Sequence, residues 1–364
     1  MARKRDAAKG NTPPRMPNIY DVAREAKVSV FTVSSVINSN GQVSAVSRRR
    51  VQAAIEKLNY RPNLLARSLA KRQTFTIGIV VPDISNPFFP QVVRGAEDVL
   101  QKAGYSALLC NSDDQEQKEE HYLDFLMSRR VDGILLAKTP ARMSPAVRQR
   151  LLDSRIPIVL LMRSAGDFLA DAVMTDDGGG AFEAVSHMAS LGYKSIAFVS
   201  GPLEVSNATE RRDGYLRALK AYRLTANPKL MYEGDYRMDS GYRAGLTLLP
   251  RRPEAVFIAN YMMMIGFMKS AEEMGLHCPE DFGVVSFDDY PWLGFFRPRM
   301  TTVELPKYEL GSAGAQLLLD RIAGNRQKPT LLMLPTQLRV RESCGFPQRT
   351  RRSRPHEAAD GTRR

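Results

Sequence analysis

The chain has 364 residues, 43% hydrophobic and 25% charged, with 52 Lys or Arg against 39 Asp or Glu and a formal net charge of +13. No apolar run approaches the ~20 residues that cross a bilayer, and no export signal opens the chain, so a cytoplasmic protein is expected. Cys110, Cys278 and Cys344 are odd in number and far apart, and His121, His187, His277 and His356 are scattered, which gives neither a disulfide framework nor a metal spacing. With no nucleophile motif and no phosphate loop of the right frame, no cofactor, metal or catalytic activity is expected.

The positive charge lies at the ends. Residues 1–75 hold fifteen Lys or Arg against four acids, residues 347–364 hold six Arg against two acids, and the body between is close to neutral. A basic module on a neutral body points to phosphate binding by one part of the chain. Residues 1–17 and 347–364 lack an apolar period and read as disordered basic tails.

From Asn18 the pattern becomes helical. Apolar residues at Ile19, Val22, Ala23 and Ala26 form one stripe, a break follows at Lys27-Val28-Ser29, and Val30, Val33, Val36 and Ile37 form a second. Ser29 is placed to cap the second helix. Two short helices across a tight turn make a helix-turn-helix, with small Ala23 at the crossing and Val28 and Val33 filling the angle. A third helix is expected over about Val46 to Leu58, buried through Val51, Ala54, Ile55 and Leu58, and ended by Tyr60-Arg61-Pro62-Asn63. The segment 63–71 that follows is too short to be a stable helix alone and suits folding coupled to binding.

These residues resemble the lactose-repressor (LacI/GalR) family of transcription regulators over about residues 18–345. The landmarks are Ile19-Tyr-Asp-Val-Ala23, Val28-Ser29, Thr32-Val-Ser34, Val36-Ile-Asn38, Tyr60-Arg-Pro-Asn63 and Ala66-Arg-Ser-Leu69, in order and correctly spaced. The resemblance implies a headpiece at 18–62, a hinge at 63–73 and a homodimer gripping a near-palindromic DNA operator. It implies base reading by Val30, Phe31 and Ser35, with Ser29, Thr32, Ser34 and Asn38 beside them. Further contacts are implied for Tyr60, Asn63, Ala66, Leu69 and Ala70. Leu69 matches the leucine that wedges into the minor groove, and packing between the hinges of a dimer is its other reading. With few long polar groups on the second helix, more of the recognition falls to DNA shape. Lys27 stands where Gly or Asn is usual, so it either sits in an unstrained turn or accepts a strained one and contacts phosphate.

Beyond Thr74, strands and helices alternate. Strands are expected at 75–82, 105–110, 131–137, 156–161, 195–200, 229–233, 255–259 and 283–287. Helices are expected at 87–103, 116–129, 179–191, 211–221, 262–273 and 310–324. Repeated β-then-α units predict an α/β body with open, mostly parallel sheets, too long for one core. The resemblance implies two periplasmic-binding-protein-like lobes within residues 74–346. One comprises about 74–175 and 302–331, the other about 176–301 and 332–346. The chain would cross near Thr175-Asp176, Pro298–Thr302 and Leu331–Pro335.

Ligands of such sheets collect at the carboxyl ends of strands. Candidate effector contacts are Phe88, Phe89, Asn111, Arg163, Arg211, Tyr236, Asn260 and Asp288. The resemblance implies Arg211 as a clamp and Asp288 as an acceptor, while a strand-end turn remains the alternative for Asp288 and core packing that for Phe89. Sugar-binding relatives carry further acids where this chain has Met162 and Tyr261. Their loss, with Arg163 and Arg211 in place, predicts a positive cleft and an effector that is either anionic, a sugar acid or sugar phosphate, or aromatic and stacked on Tyr236 and Tyr261. No leucine heptad follows residue 348, so a dimer is expected rather than a tetramer.

Overall fold

The computed structural model describes residues 17–37, 43–61, 73–140, 143–164, 166, 168, 170–325 and 328–346. Two compact units divide between Thr74 and Phe75.

The first unit is all helical. Helix α1, Ile19–Ala26, begins in a capping box: Asn18 Oδ1 accepts from the Tyr20 and Asp21 amides at 2.9 and 3.1 Å, while Asp21 Oδ2 accepts from the Asn18 amide at 2.9 Å. It ends at Lys27, whose backbone is left-handed at φ 55° and ψ 47°. Helix α2, Val30–Ile37, starts with Ser29 Oγ accepting from the Thr32 amide at 3.1 Å. Helix α3, Ala45–Lys57, closes the unit. Val22, Val33 and Val51 are fully buried at the three-helix junction, beside Ala23, Ala26, Val36 and Ala54. The small Ala23 and Ala26 let α1 approach its partners, as its stripe requires.

The second unit holds two six-stranded sheets. Strands β1 (Thr76–Val81), β2 (Ser106–Asn111), β3 (Gly133–Leu136), β4 (Ile158–Leu161) and β5 (Asp171–Thr175) alternate with helices α4 (Phe88–Lys102), α5 (Glu116–Ser128) and α6 (Pro145–Ser154). Next come α7 (Asp177–Ser190), β6 (Ile196–Ser200), α8 (Ser206–Ala221), β7 (Met231–Glu233), α9 (Met238–Leu248), β8 (Ala255–Ile258), α10 (Tyr261–Glu273), β9 (Gly283–Phe287) and β10 (Thr301–Glu304). The last elements are α11 (Lys307–Ile322), β11 (Leu331–Leu334) and β12 (Gln337–Arg339). The first sheet runs β11-β5-β4-β3-β1-β2, all parallel; the second runs β12-β10-β9-β8-β6-β7 with only β12 antiparallel. Central strands such as β3, β4, β6, β8 and β9 are buried along their whole length, which is why they read as unbroken apolar runs.

Sheet pairing moves one expected boundary. The second crossing was expected near Pro298–Thr302, but Thr301–Val303 pair with Val285–Phe287 of β9, and Thr302–Glu304 pair with β12. The crossing therefore follows Glu304, and α11 then packs closely on α4 in the first lobe. That contact needs bare backbones: a Cβ on Gly95 would lie 2.0 Å from Tyr308 O, and one on Gly311 1.8 Å from Val92 O. Two expected helices begin earlier than read, α8 at Ser206 and α11 at Lys307, and β7 begins only at Met231, after a single 3₁₀ turn over Pro228–Leu230.

Candidate functional site

On the helical unit, α2 presents Phe31 with 80% of its surface exposed, and Tyr20 on α1 is 66% exposed. A ring this exposed at the start of a turn-capped helix forgoes roughly 2 kcal/mol of burial, a pattern expected of a contact surface rather than of folding. Ser29 is exposed, and Val30, Thr32 and Ser34 are half-buried. Two expected contacts need correction. Ser35 is only 9% exposed, because its short side chain is covered, and Tyr60 is 8% exposed in the helical core. The Tyr60 amide donates to Ile55 O at 3.0 Å, which folds the chain back after α3 and turns the ring inward. Asn38, Asn63, Ala66, Leu69 and Ala70 lie outside the described residues.

In the second unit, the carboxyl ends of the strands of both sheets meet at a cavity lined by both lobes. Phe88, Phe89, Arg163, Arg211, Tyr236, Asn260 and Asp288, all read from the sequence, lie on its wall. Backbone strain collects there: Met162, Tyr236 and Asp288 have φ of 63°, 66° and 72° directly after or near the ends of β4, β7 and β9. Left-handed non-glycine backbone costs about 1–3 kcal/mol per residue and persists where surrounding structure enforces it.

Arg211 is fully enclosed. Its Nε donates to Asp177 Oδ1 at 2.6 Å, Nη2 lies 2.5 Å from the same oxygen, and Nη1 donates to Ala259 O. The guanidinium also lies 3.9 Å over the Phe287 ring. Thr175 Oγ donates to the other Asp177 oxygen at 2.6 Å. Burial opposes the arginine's charge, yet the adjoining Asp177 holds its pKa above the ordinary value. Arg163, 3% exposed, donates from Nη1 to Asp114 Oδ1 at 2.6 Å and to Lys138 O at 2.9 Å, while its buried Nε–H has no partner among the described residues. Asp288 is also 3% exposed and accepts from the Tyr261 amide at 3.2 Å.

Tyr236 forms one wall. Its hydroxyl donates to Asn207 Oδ1 at 3.2 Å, and burial pushes its pKa up to about 12. The Phe88 and Phe89 rings meet edge to face at 5.1 Å and are both almost fully buried, so they serve core and cavity wall at once.

Several expectations change here. Asn260 touches the cavity, but its amide builds the frame: Oδ1 accepts from the Met263 amide at 3.0 Å, and Nδ2 donates to Tyr236 O at 2.9 Å. Asn111 is not on the wall; it accepts from the Ile84 amide at 2.8 Å and donates to Asp113 at 2.5 Å, shaping two neighbouring loops. Tyr261 offers no platform, because its ring packs on Tyr290 at 4.8 Å and its hydroxyl accepts from Trp292 Nε1 at 3.1 Å. The cleft is not positive either. Asp83, Asp114, Asp235 and Asp288 line it against Arg163, Arg211 and Arg237, and Arg211 is neutralised by Asp177 behind the wall. Asp114, Asp177, Asn207 and Arg237 are not among the sequence candidates, for each has a partner dozens of residues away along the chain.

Among the described residues, two hydrogen bonds join the lobes beside the cavity. The Ser164 amide donates to Ser206 Oγ at 3.1 Å, and Arg237 Nη2 donates to Asp113 O at 3.2 Å.

A three-helix unit with a turn-capped second helix, joined in one chain to a two-lobed body with a polar interlobe cavity, defines the class of DNA-binding regulators that carry a ligand-binding domain. Residues 18–63 match the model described as bacterial regulatory proteins, lacI family, and residues 185–344 match a periplasmic binding protein-like domain. The chain is 36% identical to the catabolite control protein A of Priestia megaterium, over 89% of this chain and 98% of that one. Among solved structures it is similar to the lac repressor dimer bound to operator and the anti-inducer ONPF, with a TM-score of 0.81, 26% identity and coverage of 91% of this chain and 99% of that chain. It is also similar to a transcriptional regulator CelR–cellobiose complex, with a TM-score of 0.69, 32% identity and coverage of 90% and 99%. The chain belongs to the lacI family of bacterial regulatory proteins and is a DNA-binding transcription regulator.

Proposed function

We propose that this protein is a repressor that binds a near-palindromic operator as a homodimer and is gated by a small polyhydroxylated metabolite in the interlobe cavity. The observation that carries the ligand half is the buried Arg163 Nε–H, without a partner among the described residues and set in the same wall as the Asp288 carboxylate. A buried donor left unpaired costs about 1–3 kcal/mol, and a ligand oxygen at that point would recover it. The near balance of acids and bases on the wall supports an uncharged polyol over an anion. The similarity to a CelR–cellobiose complex supports a carbohydrate.

For DNA, the support is the exposed face of α2 around Phe31 with Ser29, Val30, Thr32 and Ser34, the basic end of the chain, and the family resemblance of Leu69 to the minor-groove wedge. Leu108 and Leu109 on edge strand β2 and the 81% exposed Phe295 supply apolar surface for a second copy. Ligand binding changes the relation of the lobes, and it shifts DNA affinity only by its different affinity for the two arrangements. The reading assigns no catalytic step and places the protein in the cytoplasm, at the nucleoid.

Sequences selected from a random duplex pool supply the operator probe. Release of that probe by a deproteinised cell extract, lost in Asp288→Asn, supports the reading; an extract that never changes DNA affinity sinks it.

A further inference from the structure

Lys307 is a cation in an unfavourable place. It opens α11, at the end of a helix where the backbone dipole favours anions, and only 8% of its surface is exposed. Lysines are almost never buried without a partner. Here the ammonium donates to Asp289 O at 2.8 Å and lies 4.7 Å over the Tyr290 ring. Both partners belong to the second lobe, in the loop after β9, whereas α11 packs in the first. The lysine thus adds a tie between the lobes at the chain crossing itself.

Both sides of this tie are stiff. Asp289 is fixed by Arg341 on its two carboxylate oxygens and by the Thr302 hydroxyl. Tyr290 stacks on Trp292 at 4.8 Å with the rings 4° from parallel, and Trp292 Nε1 donates to the Tyr261 hydroxyl. The Tyr261 amide in turn donates to Asp288, the carboxylate of the cavity wall. On the other side, α11 rests on the backbone of α4, whose first residues, Phe88 and Phe89, line the cavity from the first lobe. The far end of α11 is also pinned. Arg321 donates from Nε and Nη2 to the two oxygens of Asp171, both at 2.7 Å, at the start of β5. Because the first sheet is parallel, β1 begins at that same end, at Thr76. The helix spans about 24 Å between these anchors at 1.5 Å per residue.

Resting on the ligand-gated reading above, we propose that α11 is the rod that carries movement of the cleft to the amino ends of the first sheet, and that Lys307 is the positioning residue that engages it. A shift of the Asp288–Asp289 segment draws Lys307 through the carbonyl and the ring. The bare-backbone contacts at Gly95 and Gly311 keep α11 from sliding on α4, so the helix and the first sheet move together. Lys307 is not on the cavity wall, and its part is transmission rather than binding.

The test uses the full-length protein, the operator selected from the random duplex pool and a deproteinised cell extract as the probe. Anisotropy gives operator affinity with and without extract, and thermal unfolding gives stabilisation by the extract. Wild type is expected to separate the two affinities by about fivefold or more, the usual scale for coupled sites. In Lys307→Met the separation should shrink to about twofold or less, while the extract still raises the melting temperature as in wild type. A purely structural lysine would lower the melting temperature and the active fraction and leave the separation as it was. Three results overturn the proposal. One is a folded Lys307→Met that keeps the wild-type separation. Another is loss of the stabilisation together with the separation, which would make Lys307 part of binding. The third, should Lys307→Met not fold, is a wild-type separation in Trp292→Leu, which removes the stack on Tyr290. In each case wild type still responds to the extract, so the ligand-gated reading stands. No response in wild type removes that reading, and this proposal with it.

Discussion

Tyr236 lies flat against the backbone of Gly201: a Cβ placed on that glycine would stand 2.1 Å from the ring's Cζ. Strand β6 ends at Ser200, so the ring seals the carboxyl end of a central strand and becomes part of the cavity wall. Gly201→Ala must push the ring into the cavity or displace the strand end. Overpacking of this kind costs about 1–3 kcal/mol. The expected outcome is a lower melting temperature together with loss of ligand-dependent stabilisation. Tyr236→Phe removes only the hydrogen bond to Asn207 and should cost about 1 kcal/mol or less. Thermal unfolding with and without ligand checks both variants.

Arg211 and Asp177 are a buried pair whose members were read very differently from sequence. The family resemblance implies a ligand-clamping role for Arg211, while Asp177 is not among the sequence candidates. Arg211→Ala leaves a carboxylate enclosed with only Thr175 as its remaining side-chain partner. Breaking a buried pair at one end typically costs about 3–5 kcal/mol. Arg211→Ala should therefore destabilise the body strongly, and Asp177→Asn in the same chain should restore part of the loss. A double-mutant cycle by chemical denaturation measures the coupling. Additive effects would show that the pair does not act as a unit.

The limits of sequence reading follow the same physics. Elements with long apolar or periodic runs, such as α4, β6 and β9, were legible because their own residues carry the burial signal. Strands β5, β10, β11 and β12 are not among the expected strands. They have three to five residues and sit at or next to sheet edges, where neighbours rather than pattern decide the pairing. Helix α9 is not legible because its buried face is Ser240, Gly241, Ala244 and Gly245 with a single large residue, Leu248, and the four small residues fit a close approach to α10 but carry little hydrophobic signal. In the cleft, the strand-end rule found the wall, yet Asn111 and Asn260 show that a polar residue at a strand end can be spent on loop geometry.

Acid should expose a second network. Arg341 donates to both oxygens of Asp289, at 2.7 and 2.8 Å, and Thr302 Oγ donates to Asp289 Oδ1 at 2.7 Å. Burial alone would raise the Asp289 pKa, but these hydrogen bonds outweigh it and hold the carboxyl below its ordinary value. A depressed pKa contributes stability that is present above the unfolded value of about 3.9 and is lost as pH falls through the folded value. Wild type should thus be more stable than Asp289→Asn at neutral pH, and the gap should close as pH drops below about 4. Denaturation midpoints from pH 7 to pH 3 check the sign; a gap that widens in acid would contradict it.

Lys27 ends α1 in the left-handed region at φ 55°, with its side chain exposed. The turn between α1 and α2 requires this conformation, because the Lys27 amide donates back to Arg24 O at 3.3 Å and the Val28 amide to Ala23 O at 3.1 Å. A residue with a Cβ there costs roughly 1–2 kcal/mol relative to glycine. If strain were the whole story, Lys27→Gly would raise the stability of the helical unit and leave DNA binding alone. The exposed ammonium beside the start of α2 supplies the opposing reason for a lysine, a phosphate contact. Lys27→Gly is therefore expected to unfold at higher temperature while binding the selected operator more weakly. The slope of log affinity against log salt should become shallower by about 1.8, the change for two lost phosphate contacts, one from each subunit of the dimer. Lys27→Arg should keep the slope and the strain. Fluorescence anisotropy across a salt series reads the slope directly, and an unchanged slope in Lys27→Gly would leave the lysine as strain without a DNA contact.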